Sequence, residues 1–261
     1  MFRYAALHRE LKTVVQGIRA RGERVIVDYA RENVNSLNDV AFVRRTNEIM
    51  IDSLPIGSMC ALKMTSFGSR TSLPHAVEHV DSLIDRAKSR GILTCIDAED
   101  VLYPEACYRL AREHNDETMV NVYITYQMYR RRAFSELVQD LESAKYDGFK
   151  LGVKLVRGAY LRKQAGVFGT KRQVDQAYDD ALTFALPVPH AHTMLATHNA
   201  ESLRLAREFP KNAYYTAQLL GMGMGDDDAT AQIDYRYVPY GSLWELSPYL
   251  LRRLWERMAW T

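Results

Sequence analysis

Two adjacent arginines, Arg252 and Arg253, carry the sharpest chemical signal in the chain. Ser247-Pro248 reads as an N-cap followed by proline at the first helical position, which predicts that the last helix starts there. Both guanidiniums then fall in its opening turns. The N-terminal end of a helix favours anions, and basic side chains belong at the other end. Two arginine forks set against that preference point to an anion, and a carboxylate fits such a fork bidentately. The plainer reading pairs Arg252 with Glu256 one turn later on a solvated face.

A second cationic pair lies in Lys154-Leu155-Val156-Arg157-Gly158, at the end of an apolar run and before a glycine that permits close backbone approach. Cations here suit the electron-rich positions of a reduced flavin or the phosphates of a dinucleotide. The structural alternative is a pair of ion pairs with Asp97 or Glu99. Thr197-His198-Asn199 follows another apolar run and reads either as a helix N-cap or as a set of ligand contacts. His75-Ala76-Val77-Glu78-His79 matches the H-x-x-E-H zinc pattern. A zinc site needs a third protein ligand, and these histidines fall on a helix away from the other candidates, so no metal is expected. The glycines from Gly221 to Gly225 do not fit G-x-G-x-x-G, and the adjoining Asp226, Asp227 and Asp228 would repel phosphate.

These residues need a scaffold that gathers distant segments. Eight short apolar runs are strand-like: Val25 to Asp28, Met59 to Met64, Ile92 to Ile96, Met119 to Ile124, Gly152 to Val156, Thr193 to Ala196, Ala213 to Ala217 and Tyr235 to Val238. They are rich in Val, Ile, Tyr and Thr on consecutive positions, as parallel strands buried on both faces should be. Helical periodicity fills the gaps, with Pro74 opening a helix to about Ser89, Pro104 one to His114, and Arg130 to Ala144 forming another. The alternation predicts an α/β fold, a (β/α)8 TIM-type barrel, with an extra N-terminal helix over residues 1–22 and the barrel beginning near residue 24, all as one domain. A doubly wound open sheet fits the even spacing less well. Residues just past each strand line the active face of such a barrel. That rule selects Lys63, Asp97, Glu99, Tyr126, Gln127, Arg157, Tyr160, Thr197, His198, Asn199, Tyr237 and Tyr240, with Arg252 and Arg253 entering from the last helix.

Composition removes other classes. A net charge of +2 over 261 residues, with Arg130-Arg131-Arg132 as the only basic triplet, argues against nucleic acid. Cys60, Cys95 and Cys107 lack metal-ligand spacing, and Cys60 and Cys95 sit in core-like runs. No stretch approaches the ~18 apolar residues of a membrane span. A cytoplasmic or membrane-peripheral location is expected, and a mitochondrial one is compatible.

Taken together, LKMTS (62–66), IDAED (96–100), TYQMY (125–129), KLVRGAYL (154–161), ATHN (196–199), AQLLGM (217–222), YVPYG (237–241) and PYLLRR (248–253) resemble the proline dehydrogenase (proline oxidase) family of flavin-dependent barrels. The segments occur in the family's order and span most of the chain. KLVRGAYL and the Tyr-x-x-Arg-Arg ending are the specific ones.

The resemblance implies oxidation of L-proline to Δ1-pyrroline-5-carboxylate with FAD as hydride acceptor, and delivery of electrons to a membrane quinone. Arg252, Arg253 and Lys63 would hold the proline carboxylate, while Tyr237, Tyr249 and Leu155 would pack around its ring. Asp97 would hold neighbouring groups by hydrogen bonding. Lys154, counted with Asp97 as catalytic, would contact the isoalloxazine together with Gln127, Arg157 and the backbone from Val156 to Gly158. Ala98, Thr197, His198 and Asn199 would meet the rest of FAD. Peripheral membrane contact and a pyrroline-5-carboxylate dehydrogenase partner would fit the same picture. Where PYLLRR continues as Leu254-Trp255-Glu256-Arg257-Met258, relatives usually have asparagine after the glutamate. The alternatives are a hydroxyproline-preferring enzyme, which the bulk of Tyr237 disfavours, a zinc hydrolase, and a barrel that binds without turnover.

Overall fold

The strand-like runs and the periodic segments between them become a regular alternation of β-strands and α-helices. The computed structural model describes residues 4–159, 165–222 and 233–259, with side chains through Leu251. In order the elements are β1 Ala6–Leu7, α1 Leu11–Arg19, β2 Arg24–Tyr29, α2 Leu37–Ser53, β3 Met59–Leu62, α3 Leu73–Ser89, β4 Leu93–Ile96, α4 Pro104–His114, β5 Val122–Gln127, α5 Ala133–Asp147, β6 Leu151–Val156, α6 Lys171–Ala185, β7 Ala191–Ala196, α7 Ala200–Ala206, β8 Tyr214–Leu219, β9 Tyr235–Gly241 and α8 Leu243–Ala259. The sheet runs β1-β9-β2-β3-β4-β5-β6-β7-β8, and β8 also pairs with β9, so eight parallel strands close with helices between them. This is the (β/α)8 barrel expected from the alternation. Its strands are sealed on both faces: Val25, Ile26 and Val27 are all inaccessible to solvent, which is why the runs lack polar alternation.

Several boundaries depart from expectation. The segment read as one N-terminal helix splits, because Ala6–Leu7 pairs in parallel with Tyr240–Gly241, and α1 starts at Leu11 with Val14, Val15 and Ile18 buried. The fourth run begins at Val122 rather than Met119. The Asn115 side chain accepts from the N–H groups of Asn121 (2.9 Å) and Val122 (2.8 Å), and Asp116 N–H donates to the Met119 carbonyl, so the chain turns before the strand begins. That moves the strand's end to Gln127, and α5 starts at Ala133 because Arg130 forms a turn and forks onto Glu136 at 2.7 Å.

The last helix is the largest correction. It begins at Leu243, and Pro248 lies inside it. Ser242 and Glu245 form the start: Glu245 accepts from Ser242 N–H (2.7 Å), and Glu245 N–H reaches Ser242 Oγ (3.4 Å). This is a Ser-x-x-Glu capping box, and it sets the start five residues before the Ser-Pro signal. Pro248 has no N–H for the Trp244 carbonyl. The Ser247 hydroxyl donates to that carbonyl instead, at 2.8 Å, so the residue read as a cap repairs the ladder. Arg252 and Arg253 therefore sit in the third turn, beyond the reach of the N-terminal dipole. Their side chains lie outside the described residues, as do Glu256, Tyr160 and the stretch from Gly223 to Asp228.

Two compact units can be distinguished. One comprises Met1–Asp97, Leu219–Met222 and Tyr235–Thr261, and the other Ala98–Gln218 and Gly223–Asp234.

Candidate active site

In the first unit, Asp28 in β2, Lys63 just past β3, Asp97 just past β4 and Tyr237 in β9 form one polar cluster. β3 and β4 keep pairing past their ends, since Asp97 N–H donates to the Leu62 carbonyl at 2.9 Å, and this fixes the Asp97 backbone. The Lys63 ammonium donates to the Asp28 carboxylate, with both side chains nearly sealed from solvent. Burial alone would depress Lys63, but Asp28, Glu32 and Asp97 outweigh it and hold its pKa above the ordinary lysine value. Burial raises Asp28 despite the attraction of Lys63, and the like charge of Asp97 adds to the rise. Tyr237 donates its phenol to Asp97 at 2.5 Å. Burial, then Asp28 and Asp97, push that phenol well above its ordinary value, so it stays a donor. Tyr249 is buried on α8.

The loop after β2 is sewn to the turn after β3. Asn33 adopts a left-handed conformation (φ 57°), its N–H donates to Thr65 Oγ1, and Val34 N–H donates to the Thr65 carbonyl. Ser66 Oγ donates to the Arg31 carbonyl at 2.5 Å. Glu32 is thereby held between fixed neighbours.

In the second unit, Gln127 at the end of β5 and Lys154 in β6 are buried polar side chains. The Gln127 amide donates to the carbonyls of Ala98 (3.2 Å) and Glu99 (3.4 Å), which sets its plane. Arg157 donates to Asp175 (2.6 Å), Thr197 Oγ1 (2.5 Å) and Ser202 Oγ (2.9 Å), and its guanidinium lies 4.3 Å from the centre of the Tyr178 ring. Its carboxylate partner is thus Asp175, not the Asp97 or Glu99 of the structural alternative. Burial would raise Asp175, but Lys171 and Arg157 hold it below the usual carboxylate range. Thr197 Oγ1 also accepts from Asn199 N–H, and the Asn199 side chain accepts from Ser202 N–H, so Asn199 is the N-cap of α7. Gly158 has φ 117°, and a Cβ there would lie 1.5 Å from the Tyr129 ring. The close approach expected of this glycine is made to an aromatic side chain of its own unit.

Other candidates are redirected. Strand alternation puts Leu155 on the opposite face of β6 from Lys154, with the Leu155 carbonyl accepting from Tyr178 of α6, so these two side chains do not line one pocket. Tyr126 donates to Asp140 of α5 and faces the helices. Tyr240 packs with Tyr29 and His8. His79 Nδ1 lies 3.1 Å from the Arg44 guanidinium, and burial and that cation lower its pKa. Among the described residues no group of three His, Cys, Asp or Glu could hold a metal. Sequence reasoning missed Asp28 and Asp175. Asp28 had a signal, as the one carboxylate in the apolar run Val25–Tyr29, where burial demands a partner.

In parallel barrels of this kind the C-terminal ends of the strands form the active face, and the fixed charges of this one lie there. The proline dehydrogenase family profile matches residues 11–260. The carbapenem antibiotics biosynthesis protein CarD of Pectobacterium carotovorum is 30% identical over 289 residues, covering 95% of this chain and 75% of that protein. Human mitochondrial proline dehydrogenase 1 is 31% identical over 211 residues, covering 70% of this chain and 35% of that protein. The crystal structure of proline utilization A (PutA) from Bdellovibrio bacteriovorus, inactivated by N-propargylglycine, superposes with a TM-score of 0.83 at 19% identity, a likeness of fold. It covers 97% of this chain and 32% of that one. The chain thus spans most of CarD but about a third of the other two. It belongs to the proline dehydrogenase family, a family of oxidoreductases.

Proposed function

We propose that the protein oxidises L-proline to Δ1-pyrroline-5-carboxylate with FAD as the hydride acceptor. The observation that carries this reading is Lys63, a buried ammonium kept charged beside Tyr237 and Asp97, which offers a fixed cation to an anionic substrate. Arg252 and Arg253 complete the carboxylate site. Tyr237 and Tyr249 flank the five-membered ring, and Asp97 fixes Tyr237 through its phenol. Leu155 contributes packing behind β6.

The second unit suits a flavin in its donor set. Gln127, Lys154 and Arg157 offer an amide and two cations at the ends of β5 and β6, the complement of an electron-rich ring. Two-electron acceptance is the chemistry a bound flavin supplies. Lys154 and Arg157 offset the negative charge that accumulates beside them, and Gln127 with the Val156–Gly158 backbone orients the ring. Ala98, Thr197, His198 and Asn199 hold the remainder of the cofactor. Proline loses a hydride from the carbon beside nitrogen and a proton from nitrogen, forming the C=N bond. Catalysis is then mostly positioning and electrostatics.

The electrons pass on to a quinone in this reading, and a separate pyrroline-5-carboxylate dehydrogenase consumes the product. Two relatives are mitochondrial by name, which is compatible with a mitochondrial location in this reading. No described helix is long and apolar enough to cross a membrane.

The test is the visible spectrum of the purified, FAD-loaded protein before and after anaerobic L-proline. Bleaching by proline that an Arg252→Ala, Arg253→Ala double variant loses supports the reading, as does inactivation by N-propargylglycine. A protein that binds no flavin, or whose flavin ignores proline, overturns it.

A further inference from the structure

Tyr29 comes directly after Asp28 in β2, so the two side chains leave the strand on opposite faces. Asp28 accepts from Lys63 in the polar cluster, while Tyr29 donates its phenol to Glu245 in the first turn of α8. Glu245 also accepts from Ser242 N–H (2.7 Å) and Ser242 Oγ (2.8 Å), and its Oε2 lies 3.3 Å from His8 Nε2. The His8 ring packs edge-on against Tyr240 at 5.3 Å and tilted against Tyr29 at 5.7 Å. Beside this network Leu246 is buried against Ala5 and Ala30, with Leu7 and Leu250 packed around them. Burial would raise Glu245, but these hydrogen bonds hold its carboxyl below the ordinary range.

The opening turn of α8 is therefore fixed to β2 by a charged, partly buried hydrogen bond, and the next turn is the one interrupted by Pro248. The remainder of the helix, including Arg252 and Arg253, has its height along the barrel wall set at Glu245. We propose that Tyr29 and Glu245 are positioning residues for the substrate carboxylate: they key the arginine-bearing helix to the strand that carries Asp28. Neither touches substrate or cofactor in this assignment. It rests on the reading that Arg252 and Arg253 hold that carboxylate.

The experiment compares Glu245→Ala, Glu245→Gln and Tyr29→Phe in the FAD-loaded full chain, with Arg252→Ala, Arg253→Ala as the reference for a lost clamp. Glu245→Ala and Tyr29→Phe are expected to raise KM for L-proline about tenfold, since a small misplacement of a binding group has costs of this order or more. Both kcat and bound flavin should stay within about twofold of the parent. Glu245→Gln still accepts from Tyr29 and Ser242, and should recover most of the parent KM. Combining Tyr29→Phe with Glu245→Ala should add little to Glu245→Ala alone, as expected for two ends of one bond. A KM unchanged in Glu245→Ala, or a loss confined to thermal stability, flavin content and kcat, overturns the inference and leaves a merely structural contact. If the double arginine variant raises KM and Glu245→Ala does not, only this inference falls. If the arginine variant leaves KM unchanged, the clamp and its positioning fall together.

Discussion

Lys63 and Asp28 are sealed from water, so each depends on the other for its charge. Substituting Lys63 with methionine strands a buried carboxylate, and should cost about 3–5 kcal/mol in urea unfolding. Adding Asp28→Asn removes the stranded charge and should recover part of that loss, a coupling that a double-variant cycle measures directly. Tyr237 poses a question of specificity. In the proposed substrate site its bulk stands where a ring hydroxyl would go, and on that reading Tyr237→Ala should raise kcat/KM for hydroxyproline relative to proline by at least about tenfold. Steady-state kinetics with both substrates checks this. The rule that residues past strand ends line the active face selected Lys63, Asp97, Gln127, Arg157 and Thr197, and the structure places each in a polar hydrogen-bonded cluster of its own unit. It missed Asp28, Asp175 and Glu245 because each is an acid whose role comes from a partner distant in sequence. It misassigned Tyr126 because a three-residue slip in a strand start is enough to mistake an in-strand side chain for one at the rim.

Among the elements, α8 shows most clearly how local signals compete. Ser-Pro and Ser-x-x-Glu both mark helix starts, and only the second satisfies the N–H groups of residues that then pack Leu246 against Ala30. Ser242→Ala should lower stability by about 1 kcal/mol, seen as a lower denaturant midpoint with an unchanged slope. The strands were legible because burial on both faces writes a continuous apolar run. β1 was not, since two residues carry no period and only the register of β9 reveals them. The join between β6 and α6 depends on Gly158. Tyr129 N–H donates to the Arg157 carbonyl at 2.9 Å and draws its ring against the glycine. Gly158→Ala meets both a left-handed φ and that ring, and should cost about 2 kcal/mol or more by the same unfolding assay.

For the whole molecule, the balance of titrating groups sets the response to acid. Glu23, Asp39, Glu48, Asp52, Asp175 and Glu245 are held below their ordinary range by arginines, a lysine, hydroxyls and Ser242 N–H, whereas burial raises Asp28 and Asp140. A carboxyl lowered on folding contributes stability above its unfolded pKa and loses it as pH falls through the folded one; a raised carboxyl does the reverse. The lowered set is larger. Stability should therefore slip slightly below about pH 6.5, where His79, lowered on folding, takes up its proton more readily in the unfolded chain, and fall further once pH drops below about 4, with Asp28 and Asp140 softening the slope, as urea midpoints across pH would record. One further consequence comes from β9, which pairs with β1 and β2 at once and also with β8. β1 has no partner, and β2 has only β3, until almost the whole of this chain has been synthesised. On a ribosome, β2 waits with one edge unpaired, and the barrel is most exposed to aggregation until β9 emerges.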